Sequence, residues 1–323
     1  MNSTINKSSG VREVSRTQSF VLLEFLRKAC TGTEIELWAD FEKEITQNNR
    51  FFPAAESVCE ALDFCSKKAV YTLRKSEKTI FRARLIRSID ELPLYPQIIA
   101  YYSNWKFSQN SMEEQLFEQI SKRLLEQIFG KESLEEPGFW GFDSEGSDAP
   151  PNNKALSGRI NPMGMSYLYA SEDPHTAIVE ARPTIEQMVS VAEIELKKDL
   201  KLFDFCADLA DCDNNESQKK MFAEIARRLS VPNYVGDTGY YATQYISQYI
   251  KKLKDTFDGI RFRSALHKGG VNIVLFDTTK DDEMKEPLNY VIKNSSVYVV
   301  NSITVSAKKV LPIRRRQYKK RDC

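Results

Sequence analysis

Apolar positions recur three and four residues apart through the first part of the chain. FVLLEFLRKAC puts Leu22, Phe25 and Leu26 on one face, and IELWADFEKEI puts Ile35, Trp38, Phe41 and Ile45 at helical spacing. ESVCEALDFCSKKAVYTL continues the pattern after Pro53, so residues 19–75 read as helices, a small bundle without a catalytic constellation. The period then changes to two. In KTIFRARLI, residues 78–86, Ile80, Arg82, Arg84 and Ile86 alternate with Thr79, Phe81, Ala83 and Leu85, which predicts a strand. Its two arginines share a face, which is either solvated at a sheet edge or lines an anion site.

Residues 88–157 look like an elaboration. SMEEQLFEQISKRLLEQIFG is amphipathic, with Leu116, Ile120, Leu124 and Ile128 in register, and GFWGFDSEGSDAPPNNKALSG is a long loop that delivers the chain to Gly158 and Arg159. Beyond it, VSVAEIEL and KLFDF read as strands, and ESQKKMFAEIARRL and YATQYISQYIKKLKDTF as helices. FDGIRFRS and VNIVLFD read as a hairpin over Gly269 and Gly270, followed by strands in NYVIKN and SVYVVNSITV. Strands and helices mix without a βαβ rhythm, so the expected class is α+β. No GxGxxG or GxxxxGK[ST] pattern supports a Rossmann or P-loop site.

Between the loop and these strands lies GRINPMGMSYLYASEDPHTAIVEARP, residues 158–183. SYLYA is short and aromatic, as strands are. Asp173 stands where an N-cap belongs, Pro174 fits the first helical position, and Pro183 stops the helix. Glu180 then falls in the second turn, with the small residues Ala177 and Ala181 beside it. Taken singly, Glu180 reads as a solvated glutamate, Arg159 as a loop arginine and Tyr169 as core filler with a satisfied hydroxyl. Together they bring a cation, an aromatic ring and a carboxylate to one strand–helix corner.

Composition narrows the classes. Charged residues are 28% and hydrophobic residues 41%, with a net charge of +1, so the molecule as a whole is no nucleic-acid sponge. Cys30, Cys59, Cys65, Cys206, Cys212 and Cys323 form no C-x-x-C pair, and only two histidines accompany them. Neither a zinc site nor a disulfide framework is expected, and a reducing, cytoplasmic setting follows. No apolar run spans a bilayer, and the polar N-terminus, residues 1–18, reads as a loose tail without a secretory signal.

The stretch from Gly158 to Arg182 resembles the signature of the RES-domain family, which runs roughly G-R-x-N-P-x-G, then L-Y-x-A, then T-A-x-x-E-x-R. Those positions hold Gly158, Arg159, Asn161, Pro162, Gly164, Leu168, Tyr169, Ala170, Thr176, Ala177, Glu180 and Arg182. FRAR, with Arg82, resembles the family's opening strand. FDGIRFRSALHKGGVNIVLFD resembles its closing hairpin, with Ser264 and then Asn272. The resemblance covers roughly residues 78–278, and the N-terminal helices are similar to those of the subgroup with a HEPN/RES N-terminal domain.

The resemblance implies a fold like that of ADP-ribosyltransferases: a split, twisted β-core with an NAD-binding cleft and flanking helices. The chain would divide into the tail, a helical domain over 19–76, a RES domain over 77–310 and a basic tail over 311–323. It implies NAD⁺ as substrate, with no bound cofactor and no metal, and cleavage of the nicotinamide–ribose bond by water or phosphate. It also implies a bacterial toxin with a cognate antitoxin, and leaves homo-oligomers open. Glu180 would stabilise an oxocarbenium-like ribose, Tyr169 would stack on nicotinamide, and Arg159 with Arg82 would hold phosphate. Ser264 would bind the ribose or orient Glu180, and Asn161 and Asn272 would contact substrate. A macromolecular acceptor would make the chain a transferase.

A binding module is the rival from another class. Arg314, Arg315, Arg316, Lys319, Lys320 and Arg321 make a basic run suited to nucleic acid or an acidic partner, although a solvated tail is the commoner fate. Tyr241, Tyr245 and Tyr249 share a helical face and are expected to pack rather than stack on bases. His175 and His267 are expected at the surface.

Overall fold

The computed structural model describes residues 33–92, 138–209, 215–231, 237–253, 257–276 and 289–304, with positions 123, 278 and 287. The expected helix over 19–30, all but Arg123 of the helix over 111–130, and both tails lie outside the described residues. Among the described residues no helix is long and apolar enough to cross a membrane.

The architecture is α+β. Among the described residues eight strands form one sheet: β1 (Val70–Leu73), β2 (Ile80–Leu85), β3 (Leu168–Ser171), β4 (Met188–Leu196), β5 (Leu200–Asp204), β6 (Gly259–Arg263), β7 (Val271–Leu275) and β8 (Tyr290–Val299). Their order is β1-β5-β6-β7-β3-β2-β4-β8. Every neighbouring pair is antiparallel except β5 and β6. The helices are α1 (Thr33–Lys43), α2 (Glu56–Cys65), α3 (Ser144–Ser147), α4 (Pro174–Glu180), α5 (Glu216–Ser230) and α6 (Tyr241–Lys252).

Two expectations about elements change. The helix read through AVYTL stops at Cys65, and Val70–Leu73 pairs with β5 instead, because Val70, Tyr71 and Thr72 are β-formers that find a free sheet edge. NYVIKN and SVYVV form one strand, not two. The β4–β8 register slips between Glu193 and Ile194, and Lys293 is the extra residue that the bulge absorbs.

Alternation sorts the sheet residues onto two faces. One face carries Phe203, Ile260, Phe262 and Val274 against α5 and α6, in a cluster with Phe222, Ile225, Leu229 and Ile246. Trp38, Phe41, Ile45, Val58 and Leu62 of the N-terminal helices are buried in that same cluster, so α1 and α2 close on the sheet's helical layer rather than on a core of their own. Tyr241, Tyr245 and Tyr249 pack against it, as their shared helical face implies. The other face carries Leu168, Ile194, Leu202, Ile273, Leu275 and Tyr290. Here the loop from Gly138 lies along β8, where Ser295 Oγ donates to the Phe142 carbonyl at 2.7 Å and the Tyr290 hydroxyl donates to Asp148 at 2.5 Å.

Pairing between β2 and β3 is limited to Phe81 opposite Ser171. β2 continues along β4, and β3 along β7. The sheet is therefore split at its middle.

Candidate active site

At this split lies a cavity of about 360 Å³, within the ordinary range for small-molecule sites. Its walls include Arg82, Arg159, Tyr169, Glu180, Tyr240 and Asn272. Five of the expected catalytic and binding residues, Arg82 among them, thus meet Tyr240 around one space.

Helix α4 places Glu180. Asp173 caps it by accepting from the Thr176 amide at 2.8 Å, Pro174 opens it, and it ends at Glu180, after which Arg182 takes a φ of 54°. Ala177 and Ala181 line the cavity beside the carboxylate, so no bulky side chain screens it. Glu172, one residue before the cap, is gripped by Arg261 Nε at 2.6 Å and Lys78 Nζ at 2.8 Å, and Arg261 also holds Asp204 at 3.0 Å. This ion network pins the β3–α4 junction to β5. Burial alone would raise the Glu172 carboxyl, but hydrogen bonds from Arg261 and Lys78 hold it below its ordinary value.

Glu180 Oε1 accepts two bonds, from Ser264 Oγ at 2.6 Å and Asn272 Nδ2 at 2.7 Å. Ser264 Oγ itself accepts from the amides of Leu266 at 3.1 Å and His267 at 3.0 Å. Both its lone pairs are used, so its only hydrogen is directed to Glu180. Of the two roles expected for Ser264, orienting Glu180 is the one that requires this bond. Asn272 was expected to contact substrate; its Nδ2 is committed to Glu180, and its Oδ1 accepts from Ser171 Oγ at 2.9 Å. Oε2 of Glu180 has no hydrogen-bond partner among the described residues.

The Gly158–Asn161 turn is built differently. Tyr169 donates its hydroxyl to Asn161 Oδ1 at 2.7 Å and accepts from the Ile160 amide at 3.1 Å. Burial pushes this phenol up to about 12, which keeps it a donor, while its ring borders the cavity. Asn161 Nδ2 donates to the carbonyls of Leu156, Pro162 and Met165. With 5% of its surface exposed and no place in the cavity wall, Asn161 organises the turn, and its expected substrate contact has no counterpart among the residues lining the cavity. Gly158 is required here, because a Cβ would stand 2.4 Å from Asn161 Oδ1 and 2.8 Å from the Tyr169 hydroxyl. Arg159 donates from one amino group to the carbonyls of Leu229 and Ser230 at 2.8 and 3.0 Å, a cation at the C-terminus of α5. Its Nε is buried without a partner among the described residues.

Arg82 lies on the sheet face opposite Phe81 and Ala83, and reaches through the split to donate to the Tyr169 carbonyl at 3.0 Å. Burial lowers its guanidinium to about 10, and its Nε has no partner among the described residues. Arg84 donates to the Gly146 carbonyl and borders no part of the cavity.

Sequence reading missed the polar face of α6. Thr243 Oγ1 donates to the Arg159 carbonyl at 2.6 Å, Ser247 Oγ to the Ile160 carbonyl at 2.6 Å, and Gln244 Nε2 to the Gly158 carbonyl at 2.8 Å and the Asn161 carbonyl at 3.2 Å. All three are buried. The available signal was Thr, Gln and Ser at i, i+1 and i+4 on a helix face otherwise filled by Ala242, Ile246 and Ile250. His175 is exposed as expected. His267 is half-buried and bonds through Nδ1 to Thr176 Oγ1 at 2.6 Å, so it is not the free surface group expected. Among the described residues no group of three His, Cys, Asp or Glu stands close enough to hold a metal.

A family model for the RES domain matches residues 127–294, which include Arg159, Tyr169, Glu180, Ser264 and Asn272 and leave out Arg82 and the N-terminal helices. No match was found among curated proteins or among solved structures. The family match extends over more than half of the sequence, and the chain belongs to the RES domain family.

Proposed function

We propose that the chain is an enzyme that consumes NAD⁺ by breaking the bond between nicotinamide and ribose. The family is associated with NAD-related toxin activity. The observation that carries the reading is Glu180: Oε1 is fixed by two donors, and Oε2 is left for a ligand. A carboxylate held in this way meets positive charge where it develops in the transition state. As the C1′–N bond breaks, nicotinamide leaves with the electron pair and the ribose gains oxocarbenium character. Glu180 stabilises that charge and holds a ribose hydroxyl. The Tyr169 ring supplies an aromatic face for the flat cationic nicotinamide. Arg159, anchored by one amino group, keeps its Nε for the pyrophosphate.

Water or inorganic phosphate then adds its oxygen to C1′ and releases a proton to solvent, giving ADP-ribose or its 1″-phosphate. A toxin role follows from NAD⁺ depletion, with an antitoxin protein covering the cleft. Incubation of the purified chain with NAD⁺, with and without phosphate, and mass analysis of the products tests the reading. Free nicotinamide with either sugar product supports it, and the product identifies the acceptor. Nicotinamide release with ADP-ribose attached to a macromolecule would make it a transferase instead. Undiminished NAD⁺ in both buffers, with the fold intact, would overturn it.

A further inference from the structure

We propose that His267 is a positioning residue whose Nδ1–H clamps the β6–β7 turn onto α4 and so fixes Ser264 against Glu180. This rests on the reading of Glu180 given above. The carboxylate and the serine come from different elements, and their 2.6 Å bond needs the hairpin tip docked on the helix. Ser264 lies at that tip, where its amide donates to the Gly270 carbonyl at 2.9 Å and the Gly270 amide donates to the His267 carbonyl at 3.0 Å. The tip and α4 approach closely: a Cβ at Gly270 would stand 2.4 Å from Thr176 Oγ1 and 2.7 Å from His267 Nδ1. Only glycine permits this seat.

The direction of each hydrogen bond follows from the donors available. Thr176 Oγ1 lies 2.5 Å from Asp173 Oδ2 and 2.6 Å from His267 Nδ1, and has one hydrogen. Asp173 is kept ionised: burial would raise it, but the hydroxyl and amide of Thr176 hold it below its ordinary value. An ionised carboxylate only accepts, so the hydroxyl hydrogen goes to Asp173 and Nδ1 must donate to Thr176. The alternative would face two acceptors at 2.5 Å. Asp173 also caps α4, so a single carboxylate orders the helix start and, through Thr176, the histidine tautomer. The same histidine's amide donates to Ser264 Oγ at 3.0 Å, which helps turn the serine hydrogen toward Glu180. His175 meets the ring edge-on at 4.6 Å; it and Asp173 are the titratable groups that α4 and its cap bring to His267.

The first arm of the test does not depend on activity. The chain has two histidines, so ¹⁵N spectra of the full-length labelled protein resolve both rings. In the neutral ring the proton is expected on Nδ1, and Thr176→Val is expected to abolish that signature. A wild-type proton on Nε2 would overturn the clamp. The second arm is kinetic: His267→Ala and His267→Gln are expected to lower kcat about tenfold with KM within about twofold, a loss of alignment rather than of binding. His267→Asn, whose amide overlies Nδ1, is expected to recover most of kcat. Equal rates for all variants, or rescue by Gln rather than Asn, would also overturn it. Absence of NAD⁺ turnover in the wild type sinks the functional reading alone, because the ¹⁵N result still decides the clamp.

Discussion

Two polar clusters face each other across the cleft, and they use their hydrogen bonds in opposite ways. In the Gly158–Asn161 turn nearly every group is satisfied from inside. Asn161 binds three carbonyls and a phenol, and α6 takes the carbonyls of Gly158, Arg159, Ile160 and Asn161. In the Glu180 corner the bonds converge on one carboxylate oxygen and leave the other open. Both clusters look equally chemical in the sequence. The turn is closed on itself, and the corner keeps one carboxylate oxygen without a bond among the described residues.

The contrast can be broken most sharply at Glu180. Glu180→Gln keeps the shape and both partners within reach, and is expected to lower kcat by about 100- to 1000-fold while the unfolding midpoint hardly moves. A folded, fully active variant would remove the corner from the mechanism. Asn161→Ala should do the reverse. Loss of its buried bonds is expected to cost about 3 kcal/mol in urea unfolding, because several carbonyls are left without donors. A large fall in kcat at unchanged stability would put Asn161 with the chemistry after all.

Ser171→Ala probes the link behind the corner. Without the Ser171 hydroxyl, the Asn272 amide is free to rotate its oxygen toward Glu180, and kcat is expected to fall severalfold with a loss of about 1 kcal/mol. The smallest effect is expected at Arg82. Its folded guanidinium lies below the ordinary arginine value, so the charged form carries a penalty at every pH below about 10, relieved as pH rises through that value. Arg82→Met should therefore unfold at slightly higher urea near neutrality, by about 1 kcal/mol. An accompanying rise in KM for NAD⁺ would assign Arg82 to substrate, and an unchanged KM would leave it with the frame.

Local chemistry was legible in the chain. The cap at Asp173, Pro174 at the helix start, the strand through Tyr169 and the hairpin over Gly269 and Gly270 each follow from neighbouring residues. The match of residues to a family motif brought Glu180 and Ser264 together across 84 positions, which periodicity alone does not do. What stayed hidden depends on distant partners. Nothing near Asn161 announces that its amide closes its own turn, and Gln244 meets Gly158 only across 86 positions of the chain. Val70–Leu73 continues a helical pattern locally, and its strand character needs β5 beside it. The burial of α1 and α2 in the sheet's own core follows from packing, which the helical period of Trp38, Phe41 and Ile45 does not locate.

The single pairing of Phe81 with Ser171 has a mechanical consequence. The sheet is two leaves, five strands and three, joined by one bridge where the flanking β2–β4 ladder has six pairs and β4–β8 nine. Under load the leaves part there before any ladder unzips, with α4 lying across both as a further tie. The carbonyl of Tyr169 takes an arginine where a closed sheet would offer a strand amide. Compliance is thus concentrated along one line of the molecule, and that line is the wall of its cavity.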